Sequence, residues 1–307
     1  MRKLYAIGEA LIDFIPGTTD TKLKDVETFS RQVGGAPCNV ASTVQKLGGH
    51  AEMVTQLDDI GVGTSFIRRT DEANTALAFV SLTQDGEREF SFYRKPSADM
   101  LYKSEYLTDL TVTEEDILHF CSVDLVQSDM KIAHETLINQ FHQAGGTIVF
   151  DPNVRLPLWD SAEECQQAIR QFIPRAHIVK ISDEELTFIT GYTDEQAALK
   201  WLFQGNVEVV IYTKGAAGSE IHLKDGSVQS HEGFEVTPID TTGAGDAFIG
   251  AAISKLLTYD AKNLADTLQQ HGASILKFSN FVAAQVTTKY GAIESIPTLT
   301  EVEKGLQ

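Results

Sequence analysis

Short apolar runs rich in β-branched and aromatic residues alternate along the chain with longer segments of helical periodicity. The runs that predict strands are Leu4–Ile7, Ala51–Leu57, Val123–Ser128, Thr147–Asp151, His177–Ile181 and Val207–Thr213. The segments that predict helices between them include Pro37–Leu47, Lys131–Gln143 and Ser161–Ile173. Strands that are apolar at successive positions are typical of a sheet buried on both faces. The pattern therefore predicts an α/β fold in which helices cover both faces of a parallel sheet.

One segment departs from this alternation. Ala76–Leu82 and Glu87–Tyr93 are strand-like runs joined through Gln84-Asp85-Gly86, which predicts an antiparallel hairpin. In a parallel α/β chain such a hairpin is an excursion. The residues alone leave two interpretations open: a flap or lid at the edge of a site, and a solvent-exposed decoration.

The charge balance narrows the class of partner. The 307 residues include 25 Lys and Arg against 43 Asp and Glu, which gives a net charge of −18 and a pI near 4.8. Such an acidic chain is not expected to bind nucleic acid or an anionic membrane. A site for an anionic substrate must therefore be built locally.

The length predicts two units, or one large α/β domain with an appendage.

The cysteines and the N-terminal segment bear on the compartment. Cys38, Cys121 and Cys165 are scattered and odd in number, which is typical of reduced thiols. Glu9 and Asp13 interrupt the first apolar run, and no apolar stretch is long enough to span a bilayer. We expect a cytoplasmic protein.

The most informative motif is Asp240-Thr241-Thr242-Gly243-Ala244-Gly245-Asp246-Ala247-Phe248, between a strand-like run at Phe234–Ile239 and an apolar helix at Ala247–Leu257. Small residues at a strand-to-helix turn let a ligand approach the backbone, and the first amides of a helix attract anions. Asp246 is compatible with two roles, a helix cap and a general base for phosphoryl transfer. Phe248 in the third glycine position excludes a dinucleotide fingerprint, and no P-loop is present.

A second glycine-rich turn, Gly34-Gly35-Ala36-Pro37-Cys38-Asn39-Val40-Ala41, precedes the first predicted helix. A tight loop with an ordinary helix start explains it. Alternatively, Asn39 hydrogen-bonds a neutral polyol there. Asp13 lies in the apolar run Ala10–Pro16, where a charge needs a partner from the protein or from a ligand.

Together the two motifs, about two hundred residues apart, resemble the two signatures of the ribokinase-like (phosphofructokinase B) sugar kinases. The resemblance extends from Ile7 to Ala292. It implies a three-layer ribokinase-like fold with a mostly parallel central sheet. The whole chain, 1–307, would form one kinase domain, with a small β lid from about 10–35 and 75–102. The stretches Phe90–Asp99, Asp151–Arg155 and Leu158-Trp159 look most like the bacterial fructokinase branch.

The resemblance also implies roles for individual residues at the reacting end. Asp246 would be the general base, and its amide would form an anion hole with those of Gly243, Ala244 and Gly245. Sugar hydroxyls would be held by Asp13, Gly34, Gly35 and Asn39. Arg94 and Arg155 match family positions that close on the sugar.

For the nucleotide and the metal ions, the resemblance implies a second set. The ATP side would include Thr213, Lys214, Gly215, Gly218 and Asn280. Glu185 would control the Mg²⁺ environment, through water, although Ser182 replaces the asparagine of the family's Asn-x-x-Glu pattern. Asp240 and Thr242, with the Gly291 region, fall where relatives bind K⁺.

One departure from the family follows Leu57. Relatives usually continue with Gly-x-Asp, a glycine and a helix before the Gly-Val that is here Gly61-Val62. Roughly one average helix, on the order of a dozen residues, is absent. The explanations are a natural deletion and a sequence that omits residues, and the close match of both flanks favours the second.

The leading functional hypothesis is an ATP-dependent fructokinase that produces fructose 6-phosphate. The alternatives are a kinase for 2-keto-3-deoxygluconate, whose carboxylate would pair with Arg94 or Arg155, and a non-catalytic sugar-binding protein. A metal hydrolase is excluded because the eight histidines show no ligand spacing. We also expect a homodimer formed through the lid, whose faces carry Leu77, Phe79, Phe90 and Phe92.

Overall fold

The computed structural model describes residues 2–18, 21–57, 66–82, 88–259 and 263–307. Its strands are β1 (Leu4–Ile7), β2 (Leu11–Pro16), β3 (Phe29–Gly34), β4 (Ala51–Leu57), β5 (Ile67–Arg69), β6 (Leu77–Leu82), β7 (Arg88–Tyr93), β8 (Ile117–Cys121), β9 (Thr147–Asp151), β10 (Ile178–Ser182), β11 (Val209–Thr213), β12 (Ser219–Leu223) and β13 (Val228–His231). Its α-helices are α1 (Ala36–Lys46), α2 (Asp129–Ala144), α3 (Ala162–Phe172), α4 (Asp183–Thr190), α5 (Glu195–Trp201), α6 (Ala244–Leu256), α7 (Leu264–Thr287), α8 (Ala292–Ser295) and α9 (Leu299–Gly305).

A nine-stranded sheet forms the centre of the molecule, in the order β13-β12-β11-β10-β9-β8-β1-β4-β5. Its strands are parallel from β11 to β5, and β12 and β13 add an antiparallel edge. Successive residues of each central strand point to opposite faces. Tyr5 and Ile7 enter one hydrophobic core with α2, α3, α4 and α5, whereas Leu4 and Ala6 enter another with α1, α6 and α7. The predicted three-layer α/β fold is confirmed.

A second sheet of four strands, in the order β3-β2-β6-β7, lies beside the first. Strands β6 and β7 pair antiparallel, as predicted for the hairpin, and its turn lies outside the described residues. Ala78 pairs with Phe92, and both pack on the inner side with Leu11 and Ala76. Phe92 therefore does not share the outer face with Leu77 and Phe79, which are half-buried.

Two predicted strands were wrong. The strand placed at Val123–Ser128 is instead β8, and Val123–Leu125 forms a short 3₁₀ turn after it. Hydrophobic periodicity does not distinguish the adjacent apolar runs Ile117–Cys121 and Val123–Ser128. Only the first of them pairs with β1 and β9. Phe234–Ile239 is not a strand. Pro238 removes a ladder donor there, and the Ile239 amide donates to Thr287 O of α7 instead.

The connection between β4 and β5 is short for its geometry. Thr55 pairs in parallel with Ile67, and the chain returns between the two strands in nine residues. Parallel neighbours are usually joined by a dozen residues or more. This fits the expectation that a segment is absent after Leu57, although residues 58–65 themselves lie outside the described part.

The parallel strands place their carboxyl ends along one edge of the sheet, next to the small sheet. Residues Glu9, Asn153 and Ser182 lie at or just after the ends of β1, β9 and β10. Open α/β sheets bind ligands at this edge. No helix among the described residues is long and apolar enough to cross a membrane.

Candidate functional site

The first turn of α6 forms one wall of the site. The helix begins at Ala244, three residues earlier than predicted, so Asp246 lies within its first turn. Gly243 precedes it with φ +75°, and a Cβ there would lie 2.7 Å from that of Ala292. The Ala244 amide donates to Thr241 O at 3.3 Å, whereas those of Gly243, Gly245 and Asp246 have no acceptor among the described residues. Free amides at a helix N-terminus are suited to binding an anion.

The Asp246 carboxylate is held in place by two amide side chains. Its Oδ2 accepts from Asn39 Nδ2 at 2.8 Å and its Oδ1 accepts from Asn153 Nδ2 at 3.2 Å. Burial raises the pKa of Asp246, although the hydrogen bond from Asn39 and the charge of Arg155 oppose the shift. A carboxylate with a raised pKa is a stronger base, so this position suits proton abstraction better than an exposed aspartate would.

The glycine-rich turn before α1 brings Asn39 to Asp246. Gly35 has φ +101°, and a Cβ on it would lie 2.6 Å from Glu9 O. A Cβ on Gly34 would lie 2.0 Å from Asp13 Oδ2. Neither glycine tolerates a side chain without displacing the β1–β2 segment or Asp13. The turn thus places Asp13, Gly35 and Asn39 in one small cavity together with Arg155 and Asp246.

A larger cavity of about 810 Å³ opens on the other side of Asp246. It is lined by the first turn of α6, by Lys180 of β10 and by residues that follow β9 and β10, among them Asn153, Arg155 and Glu185. The two cavities share Asn153, Arg155, Thr242, Gly243 and Asp246. Asp246 therefore stands at the boundary between a small polar pocket and a space large enough for a nucleotide's phosphates.

Lys180 is a buried cation within the larger cavity. Its Nζ lies 3.0 Å from Asp151 Oδ2 on the neighbouring strand. Although burial opposes the charged form, Asp151 and Glu185 raise the pKa of Lys180. Burial raises the pKa of Asp151 to about 7 against the opposing charge of the lysine.

Glu185 is an ionised carboxylate at the rim of this cavity. Its Oε1 accepts from the Val154 amide at 2.7 Å, and its Oε2 accepts from Ser182 N at 3.1 Å and Ser182 Oγ at 2.9 Å. Burial opposes ionisation, but Lys180 and these hydrogen bonds lower the pKa of Glu185. The serine that replaces the expected asparagine is thus used to orient the glutamate. Of roughly four lone pairs, one remains for a hydrated cation, which fits Mg²⁺ held through water.

The residues expected on the nucleotide side do not line the larger cavity. They lie around the β11–β12 turn and on α7. Thr213 pairs with Ser182 at the same sheet edge. Lys214 is bonded to Glu220. Gly218 has φ +105°, and a Cβ on it would lie 2.2 Å from His231 O. Asn280 of α7 donates to that same carbonyl at 3.0 Å, and so fixes the segment after β13. Gly215 is exposed at the tip.

Asp240, Thr242 and Gly291 are brought together behind the α6 turn. Asp240 Oδ1 accepts from the amide and hydroxyl of Thr242 at 2.8 and 2.6 Å, and its Oδ2 accepts from the Gly291 amide at 3.0 Å. The carboxylate therefore fixes the loop that precedes the first turn of α6. Within the described part of the chain, no group of three or more His, Cys, Asp or Glu side chains is arranged around a metal position.

The two arginines expected at the sugar occupy different environments. Arg155 is half-buried and lines both cavities. Arg94 is buried in a cluster in which it bonds Asp99, Asp124 and the Val123 carbonyl. It lines neither cavity at Asp246. The structure thus brings Arg155, and not Arg94, to the candidate base.

A family model for pfkB family carbohydrate kinases matches residues 1–299. The chain belongs to this family. A probable fructokinase-4 of Arabidopsis thaliana is 38% identical, covering 99% of this chain and 96% of the relative. A fructokinase from Xylella fastidiosa with bound ATP superposes with a TM-score of 0.88 at 32% identity, covering 98% of this chain and 97% of the other. A fructokinase from Vibrio cholerae O395 in a fructose, ADP and calcium ion bound form gives 0.88 at 28% identity, over 100% and 99%.

The alignment with the Arabidopsis relative spans 321 residues, more than the 307 of this pfkB family chain. It therefore contains more than a dozen positions at which this chain has no residue. That number fits the segment expected to be missing after Leu57. The β4–β5 connection is shorter than parallel neighbouring strands usually need, so extra residues in relatives would fit there.

Three side chains of the site, Asn153, Asp151 and Lys180, have no role predicted from the sequence. Asn153 contributed only to a family-like stretch, and Asp151 and Lys180 were assigned to predicted strands. A signal existed for Lys180, because a lysine inside the apolar run Ile178–Ser182 is rarely buried without a partner. The partner itself was hidden, because Asp151 is adjacent only through the order of β9 and β10.

Proposed function

We propose that this chain is an ATP-dependent fructokinase that transfers the γ-phosphoryl group to fructose and yields fructose 6-phosphate. The observation that carries the proposal is Asp246, buried between the two cavities, fixed by two amides and next to unpaired backbone amides. The family membership and the fructokinase relatives support the same reaction.

In the proposed mechanism, Asp246 removes the proton from the attacking sugar hydroxyl. The hydroxyl oxygen forms a bond to the γ-phosphorus as the bond from that phosphorus to the β–γ bridging oxygen breaks, and ADP leaves. The proton ends on the Asp246 carboxylate. The hydrogen bonds from Asn39 and Asn153 keep the carboxylate oriented, so little reorganisation accompanies the transfer.

Backbone amides supply the charge stabilisation. The N–H groups of Gly243, Gly245 and Asp246, which have no acceptor among the described residues, would bind the transferred phosphoryl, and the dipole of α6 would add to them. The Ala244 amide, expected in the same set, is directed at Thr241 O in this structure. A site built on amides explains how a chain with net charge −18 binds a nucleotide.

The sugar would occupy the small cavity. Asp13 and Asn39 are placed to bond its hydroxyls, and Asn39 Oδ1 is a buried acceptor without a partner among the described residues. The backbone of Gly35 lines this cavity, and Gly34 packs against the Asp13 carboxylate. We assign the sugar-closing role to Arg155, because Arg94 is enclosed by its two carboxylates.

ATP would occupy the larger cavity and extend toward Thr213, Lys214, Gly215, Gly218 and Asn280. Glu185 would hold Mg²⁺ through water, and the ion would neutralise charge on the β- and γ-phosphates. Asp240 and Thr242 would hold K⁺ beside the Gly291 loop, where it would stabilise the turn before α6.

A coupled assay with Mg·ATP over a sugar panel tests the reaction. We expect the highest kcat/KM for fructose, and a product with the mobility of fructose 6-phosphate. Higher kcat/KM for 2-keto-3-deoxygluconate would favour the sugar-acid kinase. Turnover of another neutral sugar without fructose would reject the substrate and keep the kinase. Sugar binding without any turnover would favour the non-catalytic alternative.

We further propose a cytoplasmic homodimer formed through the outer face of the small sheet. Phe14 and Phe79 stack there at 4.8 Å, Phe29 packs edge-on against Phe79, and the Tyr93 side chain is 62% exposed. A partly exposed aromatic face of this kind suits a second copy. Light scattering of wild type and Tyr93→Glu tests it: a dimer that the variant weakens supports the proposal, and a wild-type monomer contradicts it.

A further inference from the structure

Lys180 occupies a position that ordinary core packing disfavours. It lies in the middle of β10, a central strand, and is only 6% exposed. Its neighbours Val179 and Ile181 point into one hydrophobic core and Ile178 into the other. An ammonium group is unfavourable in an apolar interior unless it is paired. Packing alone therefore does not account for a lysine at this position.

The pairing with Asp151 leaves part of the ammonium group available. Nζ contacts the two Asp151 oxygens at 3.0 and 3.2 Å and makes no other hydrogen bond within the described residues. An ammonium carries three N–H donors, and the two oxygens belong to one carboxylate on one side of it. At least one N–H is therefore free for a ligand in the cavity that Lys180 lines.

The ammonium group also lies close to the free amides. A Cβ placed on Gly245 would be 3.3 Å from Lys180 Nζ. The lysine and the first turn of α6 therefore present positive charge to the same part of the cavity, beside Asp246. Resting on the proposed kinase function, we propose that Lys180 is a further catalytic residue, which contacts the transferred phosphoryl group and stabilises the charge that develops on it.

The step remains balanced with Lys180 included. The sugar oxygen–phosphorus bond forms, the bond to the bridging oxygen breaks, and the sugar proton goes to Asp246. Lys180 neither gives nor receives a proton; it supplies a fixed positive charge and one hydrogen bond. Asp151 acts through Lys180, as the positioning residue that keeps the ammonium group charged and directed.

The alternative is that Lys180 serves only to neutralise Asp151, and a double variant separates the two roles. Lys180→Met alone leaves a buried carboxyl unpaired, so losses of stability and of activity would be mixed. Lys180→Met with Asp151→Asn removes both charges. If the lysine is catalytic, this double variant unfolds near the wild-type temperature and has unchanged KM for fructose and ATP. Its kcat is nevertheless about 10²–10³-fold below that of the wild type.

The matched control is Asp151→Asn alone, which keeps the ammonium group. We expect this control to keep more kcat than the double variant, and a double variant with the kcat of the wild type would overturn the role of Lys180. Should the double variant fail to fold, Lys180→Arg keeps a charge in place, and we expect it to retain more kcat than Lys180→Met; equal loss in both would also overturn the proposal. Assaying the wild type on the sugar panel separates failure of the Lys180 proposal from failure of the proposed function. If the wild type turns over no sugar, the proposed kinase function is overturned as well.

Discussion

Two buried clusters at the same edge of the sheet each combine one cation with three carboxyl groups. The lysine cluster consists of Lys180, Asp151, Glu185 and Asp246. The arginine cluster consists of Arg94, Glu9, Asp99 and Asp124. Both have more acids than bases, so neither is explained by simple charge pairing. They differ in what surrounds them. Lys180, Glu185 and Asp246 line the large cavity, whereas Arg94 bonds Asp99, Asp124 and the Val123 carbonyl and borders a separate cavity that does not include Asp246.

The difference shows that burial of charge alone does not identify a catalytic group. In the lysine cluster the excess carboxylates face a space that a cationic or phosphorylated ligand can enter. In the arginine cluster the donors join the segment after β7 to the turn after β8. We therefore expect substitutions in the first cluster to change kcat, and substitutions in the second to change stability.

The largest effect on stability should follow Arg94→Met. The substitution leaves Asp99 and Asp124 buried without their cation, which costs about 3–5 kcal/mol of unfolding free energy. Arg155→Met is the matched control, because Arg155 is half-buried; we expect it to raise KM for fructose with less than about 1 kcal/mol of destabilisation. Urea unfolding and steady-state kinetics of both variants give the comparison. Equal destabilisation by the two variants would contradict the stabilising role of Arg94 in its cluster.

The fold was more predictable from the sequence than the clusters were. Strands β1, β4 and β9 were predicted with the bounds observed. In β1 and β9 apolar residues occupy successive positions, which is typical of strands buried on both faces. Asp246 and Asn39 were found because glycines mark their turns. Lys180 and Asp151 were not paired in advance, because strand order brings them together. Asn153 has φ +47°, a left-handed conformation that no local pattern announced.

A smaller effect concerns the pH dependence of stability in the arginine cluster. Burial, with Asp124 and against Arg94, raises the pKa of Asp99 to about 6. The folded state then binds the proton more tightly than the unfolded state, so this contribution to stability is full below about pH 4 and is lost as the pH rises through about 6. The unfolding free energy of Asp99→Asn, relative to that of the wild type, should therefore increase by about 1–3 kcal/mol as the pH rises from 4 to 7. A difference that stays constant across this range would contradict the shift.

The smallest effect is a shift of the acid limb of the kcat profile. Asn39 donates to Asp246 and opposes the increase in its pKa that burial causes. Without that hydrogen bond the carboxyl protonates at higher pH, so Asn39→Ala should move the limb upward by about half a unit to one unit. Ser42→Ala on the same helix lines a different cavity and serves as the control. If the acid limb stays in place, Asp246 is not the group whose protonation lowers kcat.

The most direct test of the account is the turnover number of Asp246→Asn with fructose and ATP, measured beside the affinity of the same preparation for ATP. Asparagine keeps the shape of the side chain but cannot accept the sugar proton. We expect a kcat lower by about 10²–10⁴-fold, with ATP affinity and unfolding temperature retained. A kcat near that of the wild type would contradict it and show that another group, or none, acts as the base.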